Sequence, residues 1–367
     1  MVDLSQKYKA KVIDVNDLLK LKTRNYFMYF NYDNEAFMNT GIQESGSTPF
    51  CASTTTGPGG KKILGKVGIK QDIIDGFAFL GMQSGFLATA STSYPQDFFG
   101  KIIEAMKTPG VSFIQVLASC DRGWRHPINI THKVNKLAVD SGFWPLYSIR
   151  IKDGQPSYAL NKKIQFDKTK ELFTEYLQLN GRFRHIIKPF NEEKVDKIIE
   201  MIHARDENIL KLVEMFGDPE EKINVYKFDI KNIPNQEILA PGHGLCQGCG
   251  CGIALNQLSL AAHAVAGTNL IITNNTSCSE VSFSKDDVPN WKVPWVHHLF
   301  ETSATTADAI ATTYRILKAK GHFKGELPYV IAIGGDGSTY DIGFQFLKSA
   351  LVRGGSWGIM NELLAQE

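Results

Sequence analysis

Short apolar segments alternate with longer amphipathic ones along most of this chain, and this alternation limits the folds that it can adopt. The apolar segments GFLATAS and GVSFIQVLASC flank the helical pattern FFGKIIEAMK. Further on, NLIITNNTSC and PYVIAIGGDG flank SATTADAIATTYRILKAKG. This alternation favours an α/β fold: a doubly wound, mostly parallel sheet with helices on both faces. Residues 167–216 are charged and amphipathic, and they predict an additional helical arm.

Composition excludes several classes of protein. The 367 residues are 43% hydrophobic, which is enough for a sizeable core. A net charge of +2 gives no electrostatic case for binding nucleic acid. The sequence shows no apolar run of membrane-spanning length, and its first 20 residues are too charged for a signal peptide. We therefore expect a soluble, cytoplasmic protein whose six cysteines are thiols or metal ligands rather than disulfides.

The segment Gly335-Asp336-Gly337 follows an apolar run and precedes a helical pattern. A strand, a tight turn and a helix N-terminus form a cradle for phosphate and Mg²⁺, with Asp336 as an oxygen ligand and Gly337 and Ser338 as phosphate donors. For a lone Gly-Asp-Gly, a turn aspartate or a helix N-cap is the better interpretation. The interpretation as a metal site therefore needs a second group of oxygen ligands.

Two segments could supply that second group. Asn361 lies a short distance after Asp336, but the preceding GGSWGIM is a poor strand. Asn34 follows YFMYFNY, which is a good strand, and the carbonyl of Ala36 would lie beside it. We predict that Asn34, near the beginning of the chain, completes the Mg²⁺ site.

The cysteines indicate a second centre. Cys246 and Cys249 form a C-x-x-C motif, while Cys120 and Cys278 each follow a predicted strand. Because the carboxyl ends of parallel strands share one edge of a sheet, these four thiolates could converge on Zn²⁺ or an iron–sulfur cluster. A redox dithiol at the C-x-x-C remains an alternative. Cys251 is interpreted as a residue that is not a ligand, and Cys51 as a small packed thiol.

Together these motifs resemble a known family. GHGLCQGCG, TSCSEV, GGDGSTYDIG, YDNEAFMNTGIQ with SGSTP, and ASCDRGW are similar to the thiamine-diphosphate-binding β subunits of pyruvate:ferredoxin and other 2-oxoacid:ferredoxin oxidoreductases. The resemblance covers about residues 24–216 and 225–354. It implies a thiamine-diphosphate-binding fold. It also implies an enzyme that converts pyruvate, coenzyme A and oxidised ferredoxin to acetyl-coenzyme A, CO₂ and reduced ferredoxin.

The resemblance also assigns residues. By motif matching, a [4Fe–4S] cluster would be held by Cys246, Cys249, Cys278 and Cys120, and Mg²⁺ by Asp336, Asn34 and the Ala36 carbonyl. Gly335, Gly337, Ser338, Thr40 and His243 would lie around the cofactor, and Asn39 would donate a hydrogen bond to the reacting carbonyl. Asn39 is equally compatible with a loop residue that bonds its own backbone, and His243 with a structural role. The His297-His298 pair is interpreted as packing at a strand end.

Partners follow from the same resemblance. The glutamate that activates the cofactor comes from an α subunit in this family, so this chain should be inactive alone. A ferredoxin-like cluster subunit, a γ subunit and ferredoxin complete the expected set. Two other interpretations are kept open: a cluster-free thiamine-diphosphate decarboxylase or synthase, and a zinc-stabilised scaffold without activity. A branched-chain 2-oxo acid or oxalate is the alternative to pyruvate as substrate.

The order of the motifs departs from the family. There the cysteine-rich segment and Gly-Asp-Gly precede Asp-Asn-Glu and the fourth cysteine, whereas here the Asp-Asn-Glu half comes first. We therefore predict a circular permutation, which folds tolerate when the old termini lie close together. Residues 1–23 would be an extension, 24–216 the family's second half, 217–227 a surface linker, 228–355 the first half and 356–367 a tail. The two halves could alternatively meet between two swapped copies.

Overall fold

The computed structural model describes residues 10–218, 222–228, 238–284 and 289–355, which therefore exclude Asn361 and the predicted tail. The described residues contain ten strands: β1 Ala10–Asp14, β2 Phe27–Asp33, β3 Ser84–Ser91, β4 Val111–Leu117, β5 Tyr147–Lys152, β6 Gln155–Leu160, β7 Ile223–Lys227, β8 Leu270–Asn275, β9 Trp295–His298 and β10 Tyr329–Gly335. All of them belong to one sheet, in the order β1-β7-β6-β5-β3-β4-β2-β10-β8-β9. Only β5 runs antiparallel to its neighbours β3 and β6. The predicted mostly parallel α/β sheet is confirmed.

The helices lie on both faces of this sheet. They are α1 Val15–Lys20, α2 Ile73–Ala78, α3 Pro95–Lys107, α4 Asp121–Trp124, α5 Thr131–Asp140, α6 Thr169–Leu179, α7 Arg184–Ile187, α8 Glu192–Phe216, α9 Gly250–Ala266, α10 Cys278–Phe283, α11 Ser303–Ala319 and α12 Phe344–Gly355. Side chains of one face of the sheet pack with α1, α3 and α9, and those of the other face with α2, α8, α11 and α12. None of the described helices is long and apolar enough to cross a membrane.

Alternation along β2 produces these two faces. Met28 and Phe30 belong to the first hydrophobic core, whereas Phe27 and Tyr29 belong to the second. Successive side chains of a strand point to opposite faces, and a strand buried on both faces is apolar throughout. Every residue of β2 is accordingly buried. The predicted helical arm packs with α5 into a third cluster beside the sheet.

The two halves of the chain meet at the centre of the sheet. Strand β2 pairs in parallel with β10, with Met28 opposite Ile331 and Tyr32 opposite Gly335. A β-carbon built on Gly354 would lie 2.8 Å from Cδ1 of Tyr26, so the end of α12 touches the start of β2. The two halves of the predicted permuted fold therefore meet within this chain.

One segment differs from its prediction. Within the predicted surface linker, Ile223–Lys227 form β7, which pairs with β1 and β6, and Tyr226 is buried. That part of the linker prediction is wrong, because the alternating pattern of INVYK buries every second side chain as a strand does. The predicted extension at residues 1–23 contains the edge strand β1 and the helix α1.

Candidate functional site

Four neighbouring strands end at one edge of the sheet, and a predicted ligand follows each of them. In sheet order, Cys120 follows β4, Asn34 follows β2, Asp336 follows β10 and Cys278 follows β8. Ligands of open α/β sheets bind outside the carboxyl ends of the strands. Parallel pairing thus brings together residues from opposite ends of the chain.

A pocket with about 320 Å³ of empty volume opens at this edge. It is lined by Tyr32, Asn34, Ala36, Phe37, Met38, Asn39, Thr40, Ser277, Cys278, Phe300, Gly335, Asp336, Gly337 and Ser338. Most of the predicted metal and cofactor residues therefore share one cavity. Cys278 also lines it, which places one predicted cluster ligand at the wall of the same pocket.

Three oxygen-bearing groups face one another in the pocket. The Asn34 side-chain amide has one terminal atom 2.9 Å from Oδ1 of Asp336 and 2.9 Å from the carbonyl oxygen of Ala36. If the amide oxygen occupies this position, it faces only hydrogen-bond acceptors. If the amide nitrogen occupies it, the nitrogen donates to both Oδ1 of Asp336 and the Ala36 carbonyl oxygen. Oxygens at about 2.0–2.1 Å from an octahedral Mg²⁺ lie ~3 Å apart along each edge of the octahedron. The two separations from the Asn34 amide therefore match the length of an octahedral edge.

The environment of Asp336 suits a cation. The carboxyl is buried, and the Ser45 hydroxyl donates a hydrogen bond to its Oδ2. Burial raises the pKa of Asp336 well above its usual range, and the neighbouring Asp33 carboxylate raises it further. A divalent cation would offset both effects, because an opposite charge favours the ionised carboxylate.

The turn after β10 differs in detail from the expected helix N-terminus. Gly337–Asp341 form a π-helical turn, and α12 begins only at Phe344. The Ser338 hydroxyl donates to the carbonyl of Gly335 at 2.9 Å, so it is engaged within the turn. A β-carbon on Gly337 would lie 2.4 Å from the ring of Phe37, so glycine is required here by packing alone.

The remaining predicted cofactor residues occupy two places. Asn39 and Thr40 are exposed at the pocket rim, where the Thr40 hydroxyl donates to Oε1 of Gln43 at 2.7 Å. His243 is not among the residues that line the pocket, and its ring packs against Phe283 with centroids 5.2 Å apart. The structure thus does not bring His243 to the predicted Mg²⁺ ligands.

The C-x-x-C segment is joined to the end of β4 by backbone contact. The N–H of Gly250 donates to the carbonyl of Ser119 at 3.0 Å, directly before Cys120. A β-carbon on Gly250 would lie 2.6 Å from that carbonyl oxygen, so only glycine allows this approach. The glycines that surround the cysteines are explained here by chain packing.

Helix N-termini carry three of the predicted cluster ligands. Cys249 is the N-cap of α9, Cys120 is the N-cap of α4 and Cys278 opens α10. The Cys120 thiol accepts a hydrogen bond from the N–H of Gly123 at 3.3 Å. Cys246 is exposed on the loop that leads to α9. The helix dipoles favour negative charge at such positions, which suits thiolate ligands.

The thiols are close enough to perturb one another. A hydrogen bond from Cys251 lowers the pKa of Cys249 to about 7, whereas burial raises the pKa of Cys120 to about 12. Burial, with further contributions from Cys249 and Cys120, raises the pKa of Cys278. Among the residues that the structure describes, no three His, Cys, Asp or Glu side chains are grouped tightly enough to hold one metal ion. The donor set fits a cluster in type and number, and its ligation stays a prediction.

Sequence reasoning missed a layer of charge beneath the metal ligands. Asp33 and Glu35 flank Asn34, and both are buried. Lys70 lies 2.9 Å from Oδ2 of Asp33 and 2.8 Å from Oε1 of Glu35, and Arg182 lies 2.5 Å from Oε2 of Glu35. Charged residues on both sides of Asn34 were a visible signal. Nothing in the sequence identified their partners, which come from a distant loop and a distant turn.

The chain is 40% identical over 192 residues to the pyruvate synthase subunit PorB of Thermotoga maritima, covering 52% of this chain and 56% of that protein. It is 39% identical over 190 residues to the ketoisovalerate oxidoreductase subunit VorB of Pyrococcus horikoshii, covering 52% and 58%. It is 40% identical over 178 residues to PorB of Methanocaldococcus jannaschii, covering 48% and 55%. No family model matches the chain. The chain thus spans about half the length of the curated relatives it matches.

Proposed function

About half of this chain is homologous to β subunits of 2-oxoacid:ferredoxin oxidoreductases, and from this we propose that it is a subunit of that kind, carrying thiamine diphosphate, Mg²⁺ and a [4Fe–4S] cluster. The observation that carries the proposal is the oxygen group at the ends of β2 and β10. Asn34, Ala36 and Asp336 present oxygen-bearing groups with the 2.9 Å separations of an octahedral edge. These three residues would hold Mg²⁺.

The pocket beside these ligands would hold the cofactor. Thiamine diphosphate, when bound, supplies the electron sink that decarboxylation of a 2-oxo acid requires. Gly335, Gly337 and Ser338 line the wall nearest to Asp336 and would surround the diphosphate. Phe37 and Phe300 stack with ring centroids 5.9 Å apart in the same lining, and these two rings would keep water from the reacting carbon.

At the rim, Asn39 would act on the substrate. Its side chain is exposed in the pocket lining, within the loop that also carries Asn34 and Ala36. An amide donor there would hydrogen-bond the substrate carbonyl as negative charge develops on its oxygen. The Thr40 hydroxyl would give up its hydrogen bond to Gln43 and donate to the diphosphate instead. His243 lies outside this lining and is assigned no step.

The four thiolates would form the electron exit. Cys120 and Cys278 follow the strands on either side of the β2–β10 pair, and Cys249 is joined to the first of them through the Gly250 contact. A cluster held by these residues and Cys246 would lie next to the pocket, since Cys278 lines it. The electrons would then pass to a ferredoxin-like subunit and to ferredoxin. The α subunit would supply the activating glutamate, with a γ subunit completing the complex.

We propose pyruvate, with coenzyme A, as the substrate. Two of the relatives described above are named pyruvate synthase subunits, which favours pyruvate. A similar match to a ketoisovalerate oxidoreductase subunit makes a branched-chain 2-oxo acid the second candidate. Rates of ferredoxin reduction by the purified complex with pyruvate, branched-chain 2-oxo acids, 2-oxoglutarate and oxalate separate these candidates. Activity confined to a substrate other than pyruvate would refute the first assignment.

The same proposal includes the permuted order of the two halves. A circular permutation leaves only one half at a time in alignable order, which agrees with alignments that cover about half of each protein. The parallel pairing of β2 with β10 supports it further, because it restores the neighbourhood of Gly-Asp-Gly and Asp-Asn-Glu. The test is an alignment of each half separately, which should match the relatives over both halves in exchanged order.

Metal and cofactor analysis of the anaerobically purified protein tests the site. Iron and sulfide together with Mg²⁺-dependent binding of thiamine diphosphate are expected. Zinc alone would instead indicate the scaffold, and thiamine diphosphate without iron would indicate a cluster-free enzyme. Asp336→Ala and Asn34→Ala should each abolish Mg²⁺-dependent cofactor binding while iron content is kept. If Asn361→Ala lost cofactor binding and Asn34→Ala kept it in full, Asn361 rather than Asn34 would be the second Mg²⁺ ligand.

A further inference from the structure

Glu35 adopts an unusual backbone conformation between two of the proposed metal ligands. Its φ is 64°, in the left-handed region that non-glycine residues rarely occupy. The chain bends here between Asn34 and Ala36, and the Asn34 amide lies 2.9 Å from both Oδ1 of Asp336 and the carbonyl oxygen of Ala36. Such strain persists only where surrounding contacts hold it.

The Glu35 carboxylate is held at both oxygens. Lys70 lies 2.8 Å from Oε1, and Arg182 lies 2.5 Å from Oε2. The Glu35 side chain has no solvent exposure, and that of Arg182 is 3% exposed. The Arg182 guanidinium also lies over the ring of Trp124, 3.8 Å from its centroid. Two cations thus fix the residue whose backbone forms the turn.

Lys70 holds the other neighbour of Asn34 as well. Its ammonium donates to Oδ2 of Asp33 at 2.9 Å. Ser47 and Gln115 also donate to this carboxylate, at 2.6–2.7 Å and 2.8 Å. One ammonium therefore bridges the two buried carboxylates on either side of Asn34. Without it, Glu35 would keep its ion pair with Arg182, but the neighbouring buried Asp33 carboxylate would lose its ion pair.

We propose that Lys70 and Arg182 are positioning residues for the divalent cation. They act through Glu35 and Asp33 by fixing the left-handed turn that presents the oxygens of Asn34 and Ala36. Neither Lys70 nor Arg182 lines the pocket, so both would act through other residues. The inference rests on the proposed Mg²⁺ site. It adds two residues, Lys70 and Arg182, that the sequence motifs do not indicate.

Mn²⁺ affinity of the full chain tests this role. Mn²⁺ replaces Mg²⁺ at oxygen sites, and its free form is measured by electron paramagnetic resonance in the presence of thiamine diphosphate. Lys70→Met keeps a stem that packs on Trp144, whose ring centroid is 4.4 Å from the ammonium, but removes the charge. We expect Lys70→Met and Arg182→Met each to weaken Mn²⁺ binding by about 10- to 100-fold, as losses of outer-sphere support do. Lys70→Arg should retain most of the affinity.

Lys101→Met is the matched control. Lys101 is also buried, with its ammonium 2.7 Å from Asp97 and 2.7 Å from the carbonyl of Thr89, but it lies on α3 away from the pocket. The Lys101→Met variant should be less stable to urea, as Lys70→Met should be, but its Mn²⁺ affinity should be unchanged. If Lys70→Met does not yield folded protein, the isosteric Glu35→Gln should show the same loss of affinity.

The outcomes are distinct. Wild-type affinity in Lys70→Met, or equal losses in Lys70→Met and Lys101→Met, would overturn the positioning role while leaving the metal site intact. A wild-type chain that binds no Mn²⁺ in the presence of thiamine diphosphate would overturn the metal site itself, and the positioning role with it. A crystal structure of Lys70→Met gives the second readout. An unchanged left-handed φ at residue 35 in it would also overturn the inference.

Discussion

Gly334 lies in β10, two residues before the proposed metal ligand Asp336, and its replacement by alanine should be costly. A β-carbon at this position would lie 2.1 Å from the Tyr29 hydroxyl oxygen and 2.9 Å from Oγ of Ser338. Tyr29 lies on the neighbouring strand β2 and is buried in a hydrophobic core, so displacing its ring would disturb that packing. Its hydroxyl is also bonded to Oγ1 of Thr339 at 3.1 Å and accepts from Nδ2 of Asn275 at 3.2 Å.

The magnitude follows from these contacts. Overpacking of a well-filled core costs about 1–3 kcal/mol. Displacement of the Tyr29 hydroxyl would further break two buried hydrogen bonds, each with a net contribution of about 0.5–1.5 kcal/mol. Because partial relaxation can preserve one of them, we expect Gly334→Ala to reduce the free energy of unfolding by about 2–5 kcal/mol.

Urea unfolding followed by circular dichroism measures this loss. Gly60→Ala is the control, since a β-carbon there meets no atom within 4 Å, and it should change stability by less than about 0.5 kcal/mol. Tyr29→Phe removes the atom that collides, so the double variant Gly334→Ala/Tyr29→Phe should cost less than the sum of the single changes. Strict additivity, or a loss below about 0.5 kcal/mol for Gly334→Ala, would refute the packing argument.

Three further predictions concern the thiols and one carboxyl group. Cys120→Ser should reduce the iron content of the anaerobically purified protein, while Cys51→Ser should leave it unchanged; full iron retention in the first variant would remove Cys120 from the ligand set. In metal-free protein, iodoacetamide should modify the exposed Cys246 well before Cys51. Cys51 is buried, and burial raises its pKa to about 11, which leaves little thiolate at neutral pH. Mass spectrometry that finds Cys51 modified first would contradict this prediction. Burial, with the carboxylate of Asp72, raises the pKa of Asp75 from the ordinary value of 3.8 to about 7. Between these two pH values the folded protein binds a proton that the unfolded chain does not, so the protein loses stability as the pH rises through this window. Asp75→Asn should remove this loss, so the difference between the urea midpoints of variant and wild type should grow from about pH 5 to about pH 8, and a constant difference would count against the assignment.

The sequence by itself determined the fold class and the local form of the site. The aromatic-rich segment of β2 and the apolar segment of β10 predict strands, and the structure confirms both. The polar residues directly after them, Asn34 and Asp336, were recognisable because carboxylate and amide oxygens at strand ends suit Mg²⁺. These features depend on residues close together in sequence, and for that reason local patterns predict them.

Tertiary structure alone decided which distant residues meet. Asn34 and Asp336 are neighbours because β2 pairs with β10, and that pairing depends on cores built from the whole chain. The motif order only suggested this contact through the family resemblance. Lys70 and Arg182 carry no signal in the sequence, since a buried ion pair depends on where two remote segments pack. Long-range packing also placed the short, partly charged segment of β7 inside the sheet, where local composition had predicted a linker.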